Sequence, residues 1–239
     1  MSFAPWLVFG FLTQVAFGLT AAILFLFLTG TLIPLRHPTP YAWVLDLTLA
    51  LQFGIVHSVL LLPAVRRRLT RALPDALYGC FFCAMTSISV LLTIVLWKPF
   101  GPTIWNYRHL GIAYLPYLGS WMALLYSIWV SGAGYQTGWT PFWAWLRGRE
   151  LPARGIPQTG LYRCLRHPIY LSFLCILWTP VLLSLDRLML NVIWTVYTFA
   201  GSYLKDERLA YYLGEAYRDY QRRVPGYPFF PFGPLARLR

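Results

Sequence analysis

Apolar residues run in stretches of about twenty along the chain, broken by short polar segments rich in arginine. A helix needs about 20 apolar residues to cross a bilayer. The pattern predicts such helices at roughly Trp6–Gly30, Tyr41–Leu62, Ala76–Trp97 and Ile112–Gly134. Two shorter segments follow, Pro168–Leu183 and Leu188–Leu204, joined only by Ser184 to Arg187, which predicts a tight antiparallel hairpin. Beyond it, Leu209, Tyr212, Leu213, Ala216, Tyr217 and Tyr220 recur at helical spacing opposite Arg208, Glu215, Asp219 and Arg222. That predicts one amphipathic cap helix of about four turns. The tail Val224-Pro-Gly-Tyr-Pro-Phe-Phe-Pro-Phe232 then has prolines that stop the helix and aromatics that suit a membrane interface.

The expected fold is an all-α integral membrane protein of about six transmembrane helices. It is a single membrane domain over 1–239, made of a four-helix part (1–134), a loop (135–167), the hairpin (168–204) and a cap with tail (205–239). Composition agrees: 58% of the 239 residues are hydrophobic and 12% charged, against about 25% charged in soluble domains. Residues Met1 to Pro5 hold no basic residue, and the apolar run behind them is too long for a signal peptide.

Net charge is +12, with 20 Lys and Arg against 8 Asp and Glu. The basic residues lie in loops, where the positive-inside rule accounts for them and nucleic-acid binding does not. Arg66, Arg67, Arg68 and Arg71; Arg147, Arg149, Arg154, Arg163 and Arg166; and Lys205, Arg208, Arg218, Arg222, Arg223, Arg237 and Arg239 fall on one side of a six-helix chain. They make 16 of the 20, leaving Arg36, Lys98, Arg108 and Arg187 opposite. Both termini and the active face are therefore expected in the cytoplasm, with the chain multi-pass in a bacterial inner membrane. Cys80 and Cys83 lie one turn apart inside an apolar run and imply no disulfide framework. No metal site is expected.

Polar groups inside spanning helices are functional candidates. On the second helix Asp46, Ala50, Phe53 and His57 share a face, and His57 lies one turn from the arginine-bearing end. On the sixth, Asn191, Thr195, Thr198, Ser202 and then Lys205 or Asp206 form a stripe that should face protein. Gly160-Leu-Tyr-Arg-Cys-Leu-Arg-His-Pro-Ile-Tyr170 opens the hairpin. Pro168 suits a first helical turn, free N–H groups there favour an anion, and Arg166 adds a fork for a carboxylate or phosphate. The hairpin returns Asp206 and Glu207 to the level of Arg166 and His167.

Arg166-His-Pro-Ile-Tyr170, Asp206-Glu207, Gly214-Glu-Ala-Tyr-Arg-Asp-Tyr220 and Arg223-Val-Pro225 together resemble the C-terminal signature of the isoprenylcysteine carboxyl methyltransferase superfamily. His57-Ser58 with the arginines behind it, Trp97-Lys-Pro99 and Trp178-Thr-Pro180 look most like the branch of methanethiol S-methyltransferases, NnrU proteins and nurim. The resemblance implies S-adenosyl-L-methionine as methyl donor and a small or lipophilic thiol as acceptor. It implies that Arg166, His167, Pro168 and Tyr170 line the cofactor site, with Asp206 and Glu207 opposite. Tyr162, Tyr217 and Tyr220 are the aromatic faces nearest in sequence, Ser202 lies at the inner end of the polar stripe, and Arg166, Glu207 and His57 are the catalytic candidates. The family usually has a glutamate eight residues before the glycine; here Asp206 holds that place and Glu207 is seven before Gly214. Helical phase favours Asp206. A helix break after Leu204 would remove that argument, and residue type in the related enzymes together with the longer side chain favours Glu207. An NADPH-dependent sterol-reductase-like enzyme and a non-catalytic nurim-like protein are the alternative readings. The sequence assigns no oligomeric state.

Overall fold

A computed structural model describes residues 4–32, 39–151 and 155–238. The expectations for Met1 to Phe3 and for Arg36, Arg154 and Arg239 lie outside the described residues. The chain is an all-α membrane protein. Its helices are α1 (Ala4–Leu28), α2 (Ala42–Leu61), α3 (Pro63–Leu69), α4 (Tyr78–Leu96), α5 (Tyr114–Val130), α6 (Ala133–Gln136), α7 (Trp139–Leu146), α8 (Pro168–Trp178), α9 (Leu185–Leu213) and α10 (Glu215–Arg223). Among the described residues three helices are long and apolar enough to cross a membrane, at Pro5–Leu28, Ala42–Leu61 and Asp75–Leu96. The other three expected segments correspond to α5 with 17 residues, α8 with 11 and α9 with 29.

The chain divides into two compact units. The first holds Met1–Asn106, Gly132–Ala153 and Leu182–Leu190. In it α4 packs against α1, α2 and α7. The apolar faces of α2 and α4 are pinned by paired polar groups. Gln52 Nε2 donates to Ser89 O (2.8 Å) and Thr93 Oγ1 (3.0 Å), while Ser89 Oγ donates to Gln52 Oε1 (2.7 Å). In a medium without water such paired amides and hydroxyls lock two helices in register. Gly138, at φ +77°, lets the chain enter α7 against α4: a Cβ there would stand 2.1 Å from the Gly79 carbonyl carbon. Cys80 and Cys83 are buried thiols of α4.

At the other end of this unit, Asp46 accepts the Lys98 N–H (2.9 Å) and Asp186 accepts the Trp97 indole N–H (2.8 Å). A short strand β1 (Thr103–Asn106) pairs antiparallel with β2 (Leu182–Ser184). This corrects the expected hairpin. Helix α8 stops at Trp178 because Pro180 disfavours helical φ/ψ at Thr179. The connection is β2, and Asp186 and Arg187 lie inside the first turn of α9. The single four-turn cap is also corrected: α9 runs unbroken through Leu204 to Leu213. It ends at Gly214, whose φ of +58° is outside the range of a helix, so Leu209, Tyr212 and Leu213 belong to α9 and only Ala216, Tyr217 and Tyr220 to α10.

The second unit holds Tyr107–Ser131, Arg154–Val181 and Asn191–Arg239. In it α5 packs on α8, and α8 is tied to α9 by side chains of the polar stripe. Asn191 Nδ2 donates to Leu177 O, and Trp178 Nε1 donates to Thr195 Oγ1 (2.9 Å). Thr198 and Ser202 are buried and return their protons to their own helix, at Trp194 O and Phe199 O.

Candidate functional site

The site is in the second unit, where the start of α8, the middle of α9, α10 and the proline-rich tail meet. Pro168 occupies the first turn of α8, where its missing N–H costs no hydrogen bond. The two residues before it, Arg166 and His167, are buried side by side. The expected stripe of α9 continues in phase because the helix does not break. Asp206 therefore faces inward and is 1% exposed, while Glu207 points away and is exposed.

Arg166 spends all five N–H groups inside the protein. Nε and Nη2 donate to Asp206 Oδ2 at 3.1 and 2.8 Å. Nη1 donates to the carbonyls of Val224 (2.7 Å), Ala236 (2.9 Å) and Gln221 (3.3 Å), and Nη2 also to Pro234 O (3.1 Å). Its backbone N–H donates to Pro225 O (2.9 Å). The guanidinium thus closes the tail 224–236 onto the start of α8. No N–H remains for the carboxylate of a ligand, the role that the fork shape alone had implied.

Asp206 is the acceptor at the centre. Besides Arg166 it receives the Tyr217 hydroxyl on Oδ1. His167 Nε2 lies 3.1 Å from the same Oδ1, a close electrostatic contact off the line of a hydrogen bond. Burial alone would raise the Asp206 carboxyl. The His167 contact, the Arg166 charge and the Tyr217 hydroxyl outweigh it and hold the group below the usual carboxylate range. Burial lowers His167, against the pull of Asp206, so the imidazole is neutral. Burial also raises Tyr217, Tyr220 and Tyr227, which stay protonated.

Tyr220 donates to Tyr162 O (2.6 Å), and Tyr162 OH to Ser127 O on α5 (3.4 Å). These two tyrosines brace α10 and the 3₁₀ turn Gly160–Arg163. Tyr170 stands edge-on to His167 at 5.5 Å, with Lys205 Nζ 5.1 Å from its ring. Of the residues expected at the site, the structure brings together Tyr162, Arg166, His167, Pro168, Tyr170, Asp206, Tyr217 and Tyr220. Ser202 is buried and bonded within α9. His57 belongs to the first unit, on α2, with its ring 4.9 Å from Phe82.

Sequence reasoning missed Tyr227 and Gly226. Tyr227 is fully buried, 5.6 Å from the His167 ring, and packs on Phe199 and Phe229. A Cβ on Gly226 would meet Leu235 O at 2.6 Å and His167 Cδ2 at 3.1 Å, so the tail backbone lies directly on the imidazole. The single Gly-Tyr between prolines was the available signal. Both ring nitrogens of His167 and the Tyr227 hydroxyl have no aligned hydrogen-bond partner. The hydroxyl lies near Ser202, which gives its own proton to Phe199 O. Buried groups of this kind are expected to be paired, which makes them candidates for contact with a ligand.

The charges facing His167 are Asp206 and Lys205 from α9 and Arg166 beside it, with the neutral Tyr170 and Tyr227. A histidine and a carboxyl both held low stabilise the fold above their unfolded pKa values and lose that contribution as pH falls through the folded ones. The melting temperature in detergent is expected to be flat above about pH 6.5, the ordinary histidine value, and to fall below it. A second fall belongs to Asp206 below the ordinary carboxyl value of 3.8. In His167→Gln the first fall should vanish. An advantage over His167→Gln that grows on acidification to pH 5 would contradict the neutral imidazole.

Among known proteins, the methanethiol S-methyltransferase of Pseudomonas sp. (strain GM41(2012)) is 30% identical over 220 residues, covering 87% of this chain and 84% of that one. The enzyme of that name from Crocosphaera subtropica is 24% identical over 187 residues, 77% of this chain and 73% of its own. Nurim of Rattus norvegicus is 25% identical over 191 residues, 75% and 72% respectively. No family model and no solved structure matches. Fold, cluster and relatives define a class, the membrane-embedded methyltransferases. Within it, the chain belongs to the methanethiol S-methyltransferase family.

Proposed function

We propose that the chain transfers a methyl group from S-adenosyl-L-methionine to a small thiol at the membrane. The observation that carries the reading is the convergence of the signature residues on one buried cluster. Its remaining hydrogen-bonding capacity lies in a neutral imidazole and a phenol. When bound, the donor supplies an electrophilic methyl on a sulfonium, which a thiolate takes in line while the donor leaves as a neutral thioether.

This donor set fits the group. Tyr170, whose ring already stands 5.1 Å from the Lys205 ammonium, suits a cation such as the sulfonium, a contact worth about 0.5–2 kcal/mol. His167 and Tyr227 offer lone pairs to the ammonium or ribose hydroxyls. Lys205, with Arg208 one turn further along α9, supplies positive charge for the carboxylate in place of Arg166. Asp206 and Arg166 act behind these groups: they neutralise one another, and Arg166 holds the tail that carries Tyr227. The tail held in this way excludes water from a thiolate that would otherwise be strongly hydrated. The distribution of arginines supports a cytoplasmic site in a multi-pass chain.

Calorimetry on the purified protein tests the donor. S-adenosyl-L-methionine and its demethylated product are expected to bind and NADPH is not, and methanethiol plus the donor should yield dimethyl sulfide. Binding of NADPH without binding of the sulfonium would transfer the case to the reductase reading. Binding of neither would leave the nurim-like, non-catalytic one.

A further inference from the structure

Helix α7 is eight residues long, Trp-Thr-Pro-Phe-Trp-Ala-Trp-Leu, and is followed at once by Arg147-Gly-Arg149. One face is inside the first unit. Phe142 is fully buried with Leu77 and Cys80, and Leu73, Trp139, Trp145 and Leu146 pack against that cluster. Phe142 also lies on Gly10 of α1, where a Cβ would come within 2.5 Å of its ring. Leu77 and Cys80 lie in the first two turns of the spanning segment Asp75–Leu96. That puts α7 at the end of a span, the level of an interfacial helix.

From the edge of this cluster a half-buried column runs along α7 to its end. The Trp139 and Trp143 rings stack 5.3 Å apart and 16° from parallel, and the Arg147 guanidinium stands 4.5 Å over Trp143. Arg71 is two residues before Leu73, and Arg147 directly follows Leu146, so the arginines of both segments flank one apolar cluster. Arg67, Arg68, Arg71, Arg147 and Arg149 are all exposed. Among the described residues the acids nearest in sequence are Asp75 and Glu150. Asp75 is taken up by Arg66 through both carboxylate oxygens (2.9–3.2 Å). Five guanidiniums therefore stand against the single exposed Glu150.

A topological preference needs only that arginines stay on one side. It does not account for a cation stacked on a tryptophan ladder at headgroup depth. We propose that this face binds the phosphate headgroups of anionic phospholipids, with an acyl chain against Trp139 and Trp143. The apolar column selects a lipid over a free phosphate, and the excess charge selects an anionic lipid over a zwitterionic one. The proposal is independent of the methyltransferase reading.

The test uses the full chain, delipidated in neutral detergent, with binding followed by native mass spectrometry and by melting temperature. Phosphatidylglycerol is expected to bind and to raise the melting temperature, and phosphatidylcholine and glycerol phosphate at equal concentration are not. Each arginine is worth about a fivefold change in affinity near an anionic surface. The triple variant Arg67→Gln/Arg68→Gln/Arg71→Gln and the double variant Arg147→Gln/Arg149→Gln should each lose phosphatidylglycerol binding in proportion. Arg218→Gln on α10 should not. On the unmodified protein, raising the salt to about 0.5 M should erase the advantage of phosphatidylglycerol, which keeps the test open if a variant fails to fold. Equal binding of phosphatidylcholine, or retention of binding in both arginine variants, would overturn the proposal. So would glycerol phosphate matching the lipid.

Discussion

Asp206→Asn is expected to cost the fold about 3–5 kcal/mol, the usual cost of breaking a buried ion pair by removing one partner. Glu207→Gln, one residue on, should change stability by no more than about 0.5 kcal/mol, as exposed substitutions do. The asymmetry follows from α9. Adjacent helical residues point about 100° apart, so only one of the pair faces inward, and it is Asp206 that receives Arg166, Tyr217 and the His167 contact. Asparagine has the shape of aspartate, so the loss reports charge and not volume. The Arg166 guanidinium would stay buried without its counter-ion. Tyr217 would have to turn to accept from an amide N–H or face it donor to donor. Methyl transfer should fall with the fold in Asp206→Asn and persist in Glu207→Gln. The measurement pairs a melting curve in detergent with dimethyl sulfide release. Loss of methyl transfer in Glu207→Gln with Asp206→Asn unaffected would reverse the assignment and with it the role given to the cluster.

How much of this the sequence made visible depends on the range of the interaction. The spacing of Asn191, Thr198, Ser202 and Asp206 is local, and helix phase already put Asp206 on the inward face. A break after Leu204 would have erased that inference, but Lys205 to Leu213 is rich in good helix formers and the first breaker is Gly214. The same glycine does not interrupt the pattern of Leu209 to Tyr220, because a period of 3.6 can continue across a kink. Thr179-Pro180 was equally available as the stop for α8. The β1–β2 pair carried no readable alternation over its three or four residues. The tail was hidden for a different reason. Its contacts are carbonyls converging on one guanidinium from Gln221, Val224, Pro234 and Ala236, and backbone acceptors leave no residue-type pattern. The aromatics of 224–232 were therefore read as an interfacial belt, whereas Tyr227 is enclosed against His167.

That tail sets the second large effect. Arg166→Ala should release residues 224–238 and cost about 3–5 kcal/mol, since it strands the Asp206 charge in a buried site. Arg166→Lys should recover only part of it. An ammonium has three N–H groups at one point, whereas the guanidinium reaches two opposite sides at once, Asp206 on one and the tail carbonyls on the other. Pro225, Pro228, Pro231 and Pro234 remove four backbone donors from this segment. Apart from those of Arg166, its backbone bonds among the described residues are Val224 N–H to Tyr220 O at the end of α10 and three beyond it, Gly226 N–H to Leu235 O, Ala236 N–H to Gly233 O and Leu238 N–H to Gln221 O. Hydrogen exchange at those three amides reads the clasp directly. It should be slow in the unmodified protein, fast in Arg166→Ala and intermediate in Arg166→Lys. Arg163→Ala, at an exposed position three residues earlier, should leave it unchanged. Donor binding should weaken in step with the exchange, because Arg166 has no N–H to give a ligand and acts by keeping Tyr227 against His167. Weakened donor binding with the tail amides still protected would mean that Arg166 touches the ligand itself, and the clasp would not be its role.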